Sequence, residues 1–100
     1  LKEESDDSVL QKEREEQYRK KVISAFFEYG KLKSIPSQRK KERIVLEEIA
    51  KGFEPGKPYT EREVNIIIAD YHDDFCTLRR DMIAEGILKR ENAVYTRIWE

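Results

Sequence analysis

The sequence predicts a mainly α, α+β fold, on two observations. Apolar residues recur at helical spacing through most of the chain, whereas the last stretch alternates as strands do. Over residues 60–99 the order is helix, short turn, helix and two-stranded hairpin. That order is the second half of a winged helix-turn-helix domain, which presents one helix to the DNA major groove. We therefore expect a winged-helix domain over residues 31–100 and an extra long N-terminal helix within residues 1–30.

Length and charge limit the class of protein. The chain has 100 residues, which corresponds to one domain, and its net charge of −1 gives no general attraction for nucleic acid or membranes. Residues 31–57 are locally basic, with eight Lys or Arg against four Asp or Glu. No apolar run approaches the roughly 18 residues that cross a bilayer. The single Cys76 and the lack of a signal-peptide pattern favour the cytoplasm, and a first residue that is not Met fits a piece of a longer protein.

The N-terminal helix is predicted over residues 8–29, with Ser8 as its cap and Gly30 as its stop. Its first half is charged on all sides, whereas its second half carries an apolar stripe. Two interpretations stay open, a solvated overhang or a dimerisation arm. We expect self-association as a homodimer through the stripe residues Tyr18, Val22, Phe26 and Tyr29.

The next helix is predicted over residues 37–51, started by Pro36 and ended by Gly52. Its later turns are apolar, whereas its first turns are basic. Cations at a helix N-terminus oppose the helix dipole, so local helix stability does not explain them. They either form a solvated face or contact phosphates, and the residues concerned are Arg39, Lys40, Lys41 and Arg43.

Two short helices follow, each with a capping signal. Thr60 and Glu63 form a capping box, and Asp73 or Asp74 caps the next helix, which ends at Gly86. Helical spacing predicts which side chains are buried. The predicted core contains Val45, Leu46, Ile49, Phe53, Val64, Ile67, Ile68, Phe75, Leu78 and Met82, with Ile87, Leu88 and Ile98 from the hairpin.

The helix phase predicts a DNA-reading face. Thr77 and Arg80 lie opposite the buried stripe and would face base edges, whereas Arg79 lies on its shoulder and should pair with a carboxylate. Hairpin residues Lys89, Arg90 and Arg97 would join the basic cluster of the second helix at phosphates. Carboxylates on or beside the same helix oppose this interpretation, namely Asp73, Asp74 and Asp81. The leading hypothesis is a DNA-binding transcriptional regulator; the alternative is a winged-helix protein-interaction or dimerisation module.

Catalysis and metal binding are not expected. His72, Asp73, Asp74 and Cys76 are the only cluster of potential metal ligands in the sequence, and their spacing is poor for zinc. These residues more simply cap a helix and complete a turn. No nucleophile motif or glycine-rich phosphate loop is present, so the sequence predicts neither an enzyme nor a cofactor.

Three runs resemble a known family. They are residues 31–41 (KLKSIPSQRKK), residues 53–61 (FEPGKPYTE) and residues 72–75 (HDDF) with residues 78–80 (LRR). In this order they resemble a bacterial family of small domains of unknown function, over about residues 25–99. Members are often described as transcriptional regulators, and some follow a regulator of the arsenic-repressor type. The resemblance implies a cytoplasmic bacterial protein with a winged-helix-like fold and no established catalytic residue.

Overall fold

The computed structural model describes the backbone from Lys2 to Glu100 and the side chains from Ser8 onward. Helices and strands alternate along the chain, and the last six elements follow winged-helix order. The elements are α1 (Lys2–Phe26), β1 (Phe27–Glu28), β2 (Lys31–Leu32), α2 (Arg39–Ala50), β3 (Pro58–Thr60), α3 (Glu61–Ala69), α4 (Phe75–Ala84), β4 (Leu88–Glu91) and β5 (Val94–Arg97).

The strands form two antiparallel sheets. β1 pairs with β2 in a small hairpin, and the second sheet has the order β3-β5-β4. β3 precedes α3 and pairs with the last strand, and the sheet packs against α3 and α4. The predicted α+β winged-helix architecture with a long N-terminal helix is confirmed. No helix over Lys2–Glu100 is long and apolar enough to span a bilayer.

The starts of α3 and α4 follow the predicted cap chemistry. The Glu63 N–H donates to Thr60 Oγ1 at 3.1 Å, and the Thr60 N–H donates to Glu63 Oε1 at 2.9 Å, which completes the capping box. Asp74, the second of the two predicted alternatives, accepts from the Thr77 N–H at 3.4 Å. His72 Nδ1 accepts from the Asp74 N–H at 3.0 Å and holds the turn between the two helices.

Most of the predicted core is buried. Val45, Leu46, Ile49, Phe53, Val64, Ile68, Leu78 and Met82 form one cluster with Ile87 and Leu88, whereas Ile67 and Phe75 pack against it half-buried. The expectation for Ile98 is wrong, because this side chain is 53% exposed. Tyr95 lies in the core instead, directly opposite Tyr59 on β3. Side chains on a strand alternate between faces, so an inward Tyr95 turns Val94 and Thr96 outward.

The ends of the N-terminal helix differ from the prediction. Ser8 lies inside α1 and does not cap it, and the helix ends at Phe26 rather than Tyr29. Tyr29 and Gly30, with φ of 53° and 76°, form the turn between β1 and β2. The Leu32 N–H donates to the Tyr71 carbonyl at 2.8 Å, which fixes this small hairpin beside the turn that joins α3 to α4.

Candidate nucleic-acid interface

The outward face of α4 is a row of three exposed residues at four-residue spacing, Cys76, Arg80 and Ala84. Only Arg80 in this row is charged. Its Nε lies 3.4 Å from the Cys76 carbonyl on its own helix, and it has no ion pair among residues 8–100. Thr77, the other predicted base-facing residue, is half-buried beside the row. The row therefore offers one available guanidinium between two short side chains.

Arg79 joins α4 to α3. Its Nη1 donates to Asn65 Oδ1, so its partner is a side-chain amide and not the predicted carboxylate. Asn65 is half-buried on α3, one turn after the capping box. The predicted inward position is correct, although the chemistry of the partner is not. Arg79 therefore holds two helices together and is not directed outward.

Asp81 lies toward α2 rather than on the outward row. Burial, a hydrogen bond with Asp81, and the negative charges of Asp81 and Glu85 raise the pKa of Glu42 to about 7. Asp81 therefore has a close partner on α2. Of the three carboxylates that opposed DNA binding, Asp73 and Asp74 remain exposed at the start of α4, and Asp74 is engaged as the helix cap.

The basic start of α2 contains side chains of two kinds. Arg43 is bound internally, because its Nε donates to Glu47 Oε2 at 2.7 Å and its Nη1 donates to the Glu85 carbonyl. Arg39 is mostly exposed and pairs with Glu85 at 3.1 Å. Lys40 is exposed, with its Nζ 4.6 Å from the centre of the Tyr18 ring, and Lys41 is half-buried. Arg43 therefore has little capacity left for a phosphate, whereas the other three cations can reach solvent.

Arg97 is also bound internally. Its Nη1 donates to the carbonyls of Phe53 at 2.8 Å and Ala50 at 3.2 Å, and its Nε donates to the Trp99 carbonyl at 2.7 Å. This guanidinium satisfies carbonyls at the end of α2 and is a poor candidate for phosphate contact. The sequence contained a signal for this, because Arg97 shares a strand face with the buried Tyr95.

The hairpin of β4 and β5 retains two exposed cations, which lie on opposite faces of the sheet. Lys89 is exposed and pairs with Glu91 at 3.1 Å, an arrangement that costs little to break in solvent. The Arg90 guanidinium lies 5.9 Å from the centre of the Tyr95 ring. Asn92 and Ala93 form the two-residue tip, with φ of 52° and 65°. The tip is a tight turn, although it contains no glycine.

The predicted dimerisation residues lie in different environments. Val22 is only 5% exposed and belongs to the core, and Tyr18 and Phe26 pack half-buried against that core. Tyr29 is 95% exposed at the tip of the β1–β2 hairpin. The stripe is thus covered mainly by its own domain, and Tyr29 alone offers its whole side chain to a partner.

The cluster from His72 to Cys76 makes helix-capping contacts, as described above, and the Cys76 thiol is exposed and free. Within residues 8–100, no three His, Cys, Asp or Glu side chains are grouped so that they could hold a metal ion.

Comparison with known proteins gives one result. The model of a family described as "uncharacterized protein conserved in bacteria (DUF2087)" matches residues 31–97. These residues run from β2 to the end of β5, so the match covers the whole winged-helix arrangement and excludes α1. No curated protein and no solved structure matches the chain.

Proposed function

The chain belongs to the DUF2087 family of bacterial proteins, and we propose that it is the DNA-binding module of a cytoplasmic transcriptional regulator. The observation that carries the proposal is the outward row of α4. In a winged-helix domain the second helix of the helix-turn-helix enters the major groove, and α4 holds that position here. The one charge on its exposed row is Arg80, which has no ion-pair partner among residues 8–100.

Arg80 would supply base recognition. A bidentate guanidinium on guanine O6 and N7 is the commonest specific contact in the major groove. Cys76 and Ala84 lie one turn before and after it, and their short side chains let the helix backbone approach the bases closely. Thr77 would contact a base or sugar at the edge of the row. This arrangement needs no movement of the domain, because Arg80 is already exposed.

Phosphate contacts would come from the outward cations. Lys89 and Arg90 lie on the hairpin that flanks the recognition helix in winged-helix domains, and Arg39, Lys40 and Lys41 lie at the start of α2. We do not expect Arg43 and Arg97 to contact phosphates, because their guanidiniums donate to backbone carbonyls inside the domain. The net charge of −1 predicts weak non-specific affinity. Each phosphate that one of these cations neutralises releases counterions, so binding should weaken as salt is raised.

The experiment is fluorescence anisotropy on duplexes enriched from a random library at about 50 mM salt. Arg80→Ala should cost about 1–3 kcal/mol on the enriched site and relax the preference at one base pair. Lys20→Ala, which removes an exposed cation from the part of α1 outside both proposed surfaces, is the control and should change neither quantity. The proposal fails if no duplex is bound at that salt concentration.

A second variant tests whether the Asp73 carboxylate repels phosphates or contacts a base. Asp73 is exposed at the start of α4, where its carboxylate would face phosphates. Asp73→Asn should strengthen binding to every duplex alike by removing this repulsion. A gain that is confined to the enriched site would show instead that Asp73 contacts a base.

A second candidate function is self-association, which would make the chain an interaction module. It is supported by α1, whose residues 8–17 are exposed on all sides. A solvated helix segment of this kind is marginal without a partner. Tyr29, exposed at a hairpin tip, is a further surface for contact with a protein. This candidate does not exclude DNA binding, because winged-helix regulators commonly bind two half-sites as dimers.

A further inference from the structure

A groove of about 1020 Å³ opens between the middle of α1, residues 10–19, and the first half of α2. Its apolar lining includes Leu10, Tyr18 and Ile44, and Lys40 lies at its border over the Tyr18 ring. The groove begins where α1 stops packing on the domain. It lies away from the outward row of α4, because none of the row's residues lines it.

Residues 2–17 of α1 extend beyond the domain, and we call this segment the overhang. The whole helix has 25 residues, which corresponds to about 37 Å. Every described side chain of the overhang is exposed, including the apolar Val9 and Leu10. A second chain that covered these two residues would remove apolar surface from water and hold the overhang as a helix.

The charges of the overhang and of the α2 end of the groove are complementary. Residues 1–16 contain seven acidic and three basic residues. Lys40 lines the groove at the first turn of α2, with Arg39 and Lys41 beside it in the same turn, and these cations oppose the helix dipole and gain from an acidic neighbour.

From these observations we propose that a second copy of this chain docks its α1 overhang in the groove and receives the overhang of the first copy in return. The inference rests on the self-association candidate and specifies its surface. The contact is the overhang against the groove, with Val9 or Leu10 against the half-buried Tyr18 and the acidic side chains beside Lys40. Because each copy gives one helix and receives one, the dimer is two-fold symmetric and closed.

The experiment is a charge swap in the full 100-residue chain, measured by sedimentation. One variant, Arg39→Glu with Lys40→Glu, makes the first turn of α2 beside the groove acidic, and the other, Glu13→Lys with Glu16→Lys, makes the overhang basic. Each alone should weaken the dimer by about tenfold or more, because both symmetric contacts become repulsive. An equimolar mixture should restore a species of twice the 12.0 kDa monomer mass, because both contacts then join opposite charges.

The control reverses two exposed cations outside the groove, Lys33→Glu with Arg62→Glu, and should leave the dimer intact. The native dimer should also weaken between 50 and 500 mM salt, by about tenfold if two contacts are charged, and this test requires no variant to fold. A native chain that stays monomeric at high micromolar concentration overturns both the inference and the self-association candidate. A dimer that ignores salt, or a mixture that fails to restore it, overturns the groove assignment alone.

Discussion

At the scale of single residues, arginine has two roles in this protein. Arg79, Arg43 and Arg97 donate to other parts of the domain, whereas Arg80 is directed outward. The helix phase predicted the positions of Arg79 and Arg80, since Phe75, Leu78 and Met82 fix which side of α4 is inward. The helix phase did not predict that Arg43 is bound internally whereas Lys40 and Lys41 can reach solvent. The Glu85 carbonyl that Arg43 binds comes close to it only in the folded chain.

The hairpin tip stores backbone strain at Ala93. Its φ of 65° is in the left-handed region, where a side chain with a Cβ is disfavoured and glycine is not. Ala93→Gly should therefore raise the free energy of unfolding by about 0.5–1 kcal/mol in chemical denaturation. The control is Ala84→Gly at the last residue of α4, which should lower it by up to about 1 kcal/mol. Equal losses at both positions would show that the tip does not adopt this turn.

At the scale of elements, the starts of α3 and α4 could be predicted, but the end of α1 could not. A capping box is local chemistry between residues three apart, so the sequence contains all of it. The end of α1 depends on the β1–β2 hairpin. The Leu32 N–H of this hairpin donates to the Tyr71 carbonyl, 39 residues further along the chain.

The sequence did not show which face of β5 is buried, because both faces of this strand carry large apolar side chains. Tyr95 faces inward and donates to Glu61 Oε1 at 2.8 Å, which leaves Ile98 in solvent.

The contact between α2 and α4 makes stability depend on pH. The pKa of Glu42 is raised from 4.5 to about 7, so the folded state holds a proton that the unfolded chain releases. Its contribution is fully present below pH about 4.5 and is lost as pH rises through about 7. Between pH 5 and pH 8, the free energy of unfolding of the native chain should fall by roughly 1 kcal/mol more than that of Glu42→Gln. This value is smaller than the full pKa shift implies, because solvent screens the partly exposed Glu42 carboxyl. Equal pH profiles in thermal unfolding would contradict this assignment.

At the scale of the whole molecule, one buried carboxylate joins three helices. Glu47, only 7% exposed on α2, accepts from Arg19 of α1 and from Arg43, which in turn donates to Glu85 after α4. Arg19 and Arg43 both donate to this carboxylate, so the orientation of α1 is tied to the end of α4.

Removing the charge of Glu47 should be costly. Glu47→Gln should lower the free energy of unfolding by about 1–2 kcal/mol, because it removes a buried carboxylate from two partly exposed arginines, of which Arg43 keeps its contacts with Glu85. Glu91→Gln, which breaks the exposed pair with Lys89, is the matched control and should change it by less than about 1 kcal/mol. Denaturant titration of the two variants measures the difference. A small effect at Glu47 would mean that water replaces the ion pairs.

The two proposed surfaces use different parts of the fold. The outward row of α4 and the hairpin would face DNA, whereas the groove and the overhang would face a second copy. Sequence patterns predicted the first surface, because it follows from helix phase. They did not predict the groove, because its two sides lie more than 20 residues apart in sequence and meet only after folding.

The most direct test of DNA binding is a backbone amide NMR titration of the 100-residue chain with an enriched duplex at low salt. Binding through the recognition helix predicts the largest shifts in residues 76–84 and 89–94, fast loss of these shifts as salt is raised, and small changes in residues 9–19. Shifts confined to α1 and the start of α2, or no shifts at all, would contradict the assignment of α4 as a DNA-reading helix.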